Sequence, residues 1–145
     1  MRGVSRRRGL LAAILLISIS SRAYAGAVNV TITNARNDDG VVRCGLFASA
    51  DSFRVPGREM RESVGKIQNG KAKCSFGDVP SGTYAVAVFH AERNERVLKT
   101  GLFGKPQQGV GLSRNPSITF GPPSFSAAAF KVEAQPVNLQ VRLTY

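Results

Sequence analysis

The side chains able to do chemistry in this 145-residue chain are few: one histidine, two cysteines and scattered hydroxyls and carboxylates. His90 alone has an ordinary pKa near neutrality, which suits a general base or a ligand at the mouth of a loop. A hydrolytic reading needs Ser113 as nucleophile with His90, or Glu92 as the third member, brought together by the fold. No motif places them side by side. The favoured reading is therefore a strand-end imidazole that hydrogen-bonds loop backbone and holds it. A single histidine excludes a His-rich metal centre, and two thiolates with one distant imidazole fall short of a four-ligand finger. Glu92 and Asn94 alternate as in a calcium loop, but Arg93 and Arg96 bring positive charge and Val97 stands where glycine is required. The string GLFGKPQQGVG is not a phosphate loop: Lys99 replaces the first glycine and Pro106 the magnesium-binding hydroxyl. Gly101, Gly104, Gly109 and Gly111 are read instead as sites of positive φ or close backbone approach. No catalytic residue, metal or cofactor is expected.

Cys44 and Cys74 are of a different kind. Both fall on inward positions of strand-like segments, and an exported setting permits their oxidation. A disulfide is favoured; two small buried thiols that never meet are the alternative. Basic residues Arg54, Arg58, Arg61, Lys66, Lys71 and Lys73 outnumber Glu59 and Glu62 between them. They read as a solvated surface, with an anionic glycan or lipid as the alternative partner. Nucleic acid is not expected, since no stacked-aromatic motif accompanies the charge.

These side chains need elements to position them. The first 25 residues carry a basic head (Arg2, Arg6, Arg7, Arg8), an uncharged run from Leu10 to Ile19, and Ala23-Tyr24-Ala25 before Gly26. That is the pattern of a cleavable signal helix cut after Ala25, and its run is too short to span a bilayer. The formal charge of +11 is partly targeting charge. Five of the twenty basic residues leave with the leader and none of the nine acids do, so the remainder carries +6. An export route to the periplasm or outside the cell follows, with no membrane span after cleavage.

Residues 26–145 read as strands. Val28, Val30 and Ile32 alternate with polar neighbours; so do Val42, Cys44 and Leu46, then Ala72, Cys74 and Phe76, then Val137 through Tyr145. Asn37 to Gly40 and Asn69-Gly70 supply turns, the latter the signature of a type I′ hairpin. The strand Tyr84–Phe89 differs, being apolar on both faces. That suits a central strand covered on both sides, or one whose small outward residues lie beneath a loop. Tyr84 follows Pro80-Ser81-Gly82 as in a tyrosine corner. No helix of normal length is expected. The sum is an all-β, antiparallel sandwich of about seven strands in one domain. Residues 91–126, with five glycines and four of the seven prolines, form a long irregular loop of the kind that carries function. Its candidate residues are Leu102, Phe103, Pro106, Gly109, Gly111, Ser113, Asn115, Pro122, Pro123 and Phe125. An exposed apolar patch around Leu102, Phe103, Val110 and Leu112 would mark an interaction surface.

The strings GDVPSGTYAVAVFH, LFGKPQQGVGLSRNP and GPPSFSAAAF, in that order, resemble a family of small exported bacterial proteins known as domain of unknown function 2141. The resemblance spans Val28 to Tyr145 and implies an immunoglobulin-like or prealbumin-like (transthyretin) sandwich, with no established activity. The family's acidic HDENGNGKLD stretch is altered here, with Ala91, Glu95 or Arg96, and Lys99 at its former Asp, Gly and Asp places. Gln108 and Val110 replace a later Glu and aromatic residue. A cation site in that loop would have lost most of its ligands. The expected role is a non-catalytic exported module that binds an envelope protein or glycan.

Overall fold

The computed structural model describes residues 25–145; the expected leader lies outside them except for Ala25. Eight strands run β1 (Ala25–Thr33), β2 (Val41–Phe47), β3 (Arg61–Lys66), β4 (Ala72–Pro80), β5 (Gly82–Ala91), β6 (Val110–Leu112), β7 (Phe130–Val132) and β8 (Val137–Arg142). They form two layers, β4-β1-β8 and β3-β2-β5-β6, with β7 paired to the start of β5. The purely antiparallel expectation is corrected at one place: β1 and β8 run parallel, from Val28↔Val137 to Thr33↔Arg142. The long connection between them leaves both strands free to point the same way.

Side-chain alternation builds the interior. Val28, Val30 and Ile32 of β1 and Ala72, Cys74 and Phe76 of β4 face Val42, Cys44 and Leu46 of β2 and Tyr84, Val86 and Val88 of β5, all buried. The disulfide Cys44–Cys74 ties one layer to the other across a Cα separation of 6.5 Å. Asn69 and Gly70 take the positive φ of 52° and 72° that the hairpin turn requires. The Asp38 carboxylate accepts both of their N–H groups at 2.8 Å, which holds its pKa below the usual range. Two turns distant in sequence thereby close one end of the sandwich.

Residues 91–126 are less irregular than expected. Ala91 completes β5, β6 pairs antiparallel with β5 through Ala87↔Leu112, and the helix α1 (Phe125–Ala128) starts under a Ser124 cap. A three-residue strand offers too little periodicity to be read from sequence. Ser113 extends the β6 pairing: its N–H donates to Val86 O at 2.9 Å, and its Oγ accepts from Val86 N–H and donates to Ala128 O. The Asn115 side chain does the same for the open edge of β8. It donates to Gln140 O and accepts from Arg142 N–H, at 2.9 and 2.8 Å. Two edge groups of β8 that could pair with another strand are thus occupied. Among the described residues, no helix is long and apolar enough to cross a membrane.

Candidate functional site: an apolar groove on an outward sheet face

The inward residues of β2 and β5 account for half of each strand; the outward half is where the molecule departs from a plain sandwich. Register places Glu62, Gly45, Ala87 and Leu112 in one row across β3, β2, β5 and β6. The next row reads Val64, Arg43, Phe89 and Val110. Ala87 presents little bulk, so the sheet surface dips there, whereas the space over Gly45 is taken by the Phe47 ring and the Glu59 side chain, which a Cβ at that position would strike. Beside them Phe47, Phe53, Ala85, Leu112 and Ala128 make a second apolar cluster, with Phe125 against it. Phe53 stands edge-on to Phe47 and to Phe125 at centroid distances of 5.6 and 5.7 Å.

Loops turn this depression into a groove of about 520 Å³. Its walls come from the segments that follow β2 (Arg54, Pro56, Glu59), β5 (Arg96 to Pro106) and β6 (Ile118 to Pro123). Apolar side chains stand out around it: Leu102 is 85% exposed, Phe103 98% and Phe120 101%. Phe103 also holds a φ of 60°, an unusual backbone for a bulky residue. Four cations line the groove. Arg43 donates through Nε to Glu95 O at 2.6 Å, and the Arg54 guanidinium lies 5.4 Å from the Phe53 ring centroid. Arg96 and Lys105 make no ion pair among the described residues.

His90 is not part of this groove. It points inward from β5, fully buried, and its ring nitrogens are both engaged. Nε2 bonds Asp39 O at 2.8 Å, so it carries the proton, and Nδ1 accepts from the Tyr145 hydroxyl at 2.7 Å. That hydroxyl accepts in turn from Arg36 N–H at 3.0 Å, and partial burial raises its pKa. Glu92 lies 3.9 Å from Nδ1 but is gripped by the Arg36 guanidinium through two bonds of 2.6 Å, with Asn37 at 3.0 Å. This bidentate pairing pushes the Glu92 carboxyl down to about 2 and raises Arg36. Ser113, the nucleophile that the disfavoured hydrolytic reading needs, sits opposite Val86, four places along β5, or roughly 13 Å at strand spacing. His90, Ser113 and Glu92 are therefore not assembled as a triad. The histidine does hold backbone, as the strand-end reading has it. What its ring holds is the turn at 37–40, and Gly109 O accepts its N–H.

Other expected positions fall as follows. Tyr84 donates to Pro80 O at 2.9 Å, the corner bond its sequence context implies. Cys44 and Cys74 are bonded. A Cβ on Gly109 would strike the Tyr145 ring, and one on Gly111 would strike Val141 and Arg142 O, so both glycines serve close packing. Of the anticipated patch, Leu102 and Phe103 are exposed, Val110 is half-buried, and Leu112 is buried as floor. Pro106, Pro122 and Pro123 line the groove and Phe125 backs its aromatic end. Arg61 leaves the basic surface, its guanidinium bonding the Gly77 and Asp78 carbonyls of β4. Sequence reasoning missed Gly45, Phe47, Ala87 and Phe89 as a floor; the two-sided apolar character of β5 was the available signal.

Fold and groove together define a two-layer all-β protein with a loop-walled depression on one outward face. The chain belongs to the family described as uncharacterized proteins conserved in bacteria, domain of unknown function 2141, which matches residues 30–140. No curated protein and no solved structure matches it.

Proposed function

We propose that the protein is an exported, non-catalytic binding module: an immunoglobulin-like, transthyretin-related sandwich whose ligand site is the groove over Gly45 and Ala87. The observation that carries this reading is the groove itself, a concave apolar site of about 520 Å³. Sites for small molecules fall in roughly the 300–1,000 Å³ range and are lined mainly by apolar side chains. Export is supported by the leader pattern of residues 1–25 and by a disulfide, which persists in oxidising compartments. The envelope, periplasmic or extracellular, is the matching location. The test is native mass spectrometry of the protein recovered from its own cells, beside an Ala87→Leu variant that fills the floor. An adduct carried by the wild type and lost in the variant is expected, on a chain whose mass begins at Gly26. A ligand-free wild type, or an adduct indifferent to Ala87→Leu, contradicts the reading.

A further inference from the structure

The groove's chemistry narrows what it holds, and the inference rests on the binding reading above. We propose that its occupant is an anionic amphiphile, a single acyl chain lying on the floor with its acidic head toward the Arg96–Lys105 wall. The floor makes the first half of the case. On β5 and β6, Ala87, Phe89, Val110 and Leu112 offer no side-chain donor or acceptor, the polar members of the same rows, Arg43 and Glu62, standing on β2 and β3; the backbone of β2 and β5 is already paired on both sides. A sugar or an extended peptide laid there would lose hydrogen bonds to water without replacement, at a cost of about 1–3 kcal/mol for each unmet group. Hydrocarbon loses nothing, and each buried methylene contributes about 0.8 kcal/mol.

Charge makes the second half. The two acids at the groove, Glu59 and Glu62, lie on the connection into β3 and on β3 itself. Arg96 and Lys105 belong to the wall after β5 and have no acid paired with them among the described residues. The groove is therefore apolar over β5 and β6 and cationic along the wall that follows β5, which is the complement of a fatty acid or of another acyl chain with an acidic head. Phe103, on that same wall and 98% exposed, would be covered by the chain.

Calorimetric titration of the purified protein with dodecanoate and with dodecanol tests this. Dodecanoate should bind about tenfold more tightly than the alcohol, the weight of one charge-assisted hydrogen bond. Arg96→Gln with Lys105→Gln should abolish that difference while leaving dodecanol binding unchanged, and Ala87→Leu should abolish both. Phe103→Ser, at a solvent-facing site, serves as a second groove variant if Ala87→Leu fails to fold, and should weaken both ligands. Equal affinity for acid and alcohol overturns the anionic head but leaves the groove a binding site. Binding of neither ligand, or binding of an acidic oligosaccharide or an apolar peptide in their place, overturns the amphiphile. A ligand recovered from cells by mass would still speak for the binding reading, so the two failures are distinct.

Discussion

On the outward face of the β4-β1-β8 sheet, Asn29, Ser75 and Asn138 stand in one register row and are hydrogen-bonded to one another at 3.1 and 3.2 Å. The corresponding row of the other sheet reads Glu62, Gly45, Ala87 and Leu112. Both sheets bury an inner face, and the second also buries the outward Phe47, Ala85 and Leu112 against Phe53 and Ala128. A water-facing sheet gains from polar outward positions, as in the first layer. The second layer instead keeps apolar groups outward and leaves Phe103 and Phe120 almost wholly exposed. Exposed apolar surface of that kind is what the proposed binding reading draws on. What the contrast teaches is that, on the binding reading proposed above, loops rather than sheets decide which face carries the site: among the described residues, segments 96–106 and 118–123 wall the groove over the second layer.

The contrast can be broken by substitutions graded from interior to surface. The largest loss should come from Cys44→Ala with Cys74→Ala. Opening a link between residues 30 apart removes about 3 to 4 kcal/mol by restoring freedom to the unfolded chain, read as a lower urea midpoint. Leu46→Ala, fully buried on the inner face, should cost about 3 kcal/mol in the same assay. Acid should act through Glu92, whose ordinary pKa of 4.5 falls to about 2 on folding. A depressed carboxyl contributes its stability above the unfolded value and loses it as pH falls through the folded one. Wild-type melting temperature should therefore drop between about pH 4.5 and pH 2, and the drop should be shallower in Glu92→Gln. Smallest of all, Asn138→Ala on the polar face and Phe103→Ser on the groove wall should each shift stability by no more than about 0.5 kcal/mol. Only the second should alter ligand binding. A large destabilisation from Phe103→Ser would mean the groove wall is part of the core.

Much of this was legible in the sequence, and for identifiable reasons. Alternation in Val28–Ile32, Ala72–Phe76 and Val137–Leu143 fixes which side chains point inward, because a strand's period is two. The Asn69-Gly70 turn and the Tyr84 corner are local, so a short string suffices for each. The parallel pairing of β1 with β8 was not legible, since nothing in either strand encodes its partner's direction. Nor was the knot of His90, Tyr145, Arg36 and Glu92, whose members meet only once β5 and the chain's last residue are docked. The groove was half legible. The outward series Ala85, Ala87, Phe89 announced a second apolar face, but Gly45 beside it reads as an ordinary strand glycine until register sets the two side by side.

The most direct test of the account is to watch the two outward faces together while a ligand is added. Backbone amide NMR during a dodecanoate titration should move the resonances of Gly45, Ala87, Phe89 and Leu112 and leave those of Asn29, Ser75 and Asn138 in place. Shifts confined to the Asn29–Ser75–Asn138 face, or no shifts on either, would contradict it.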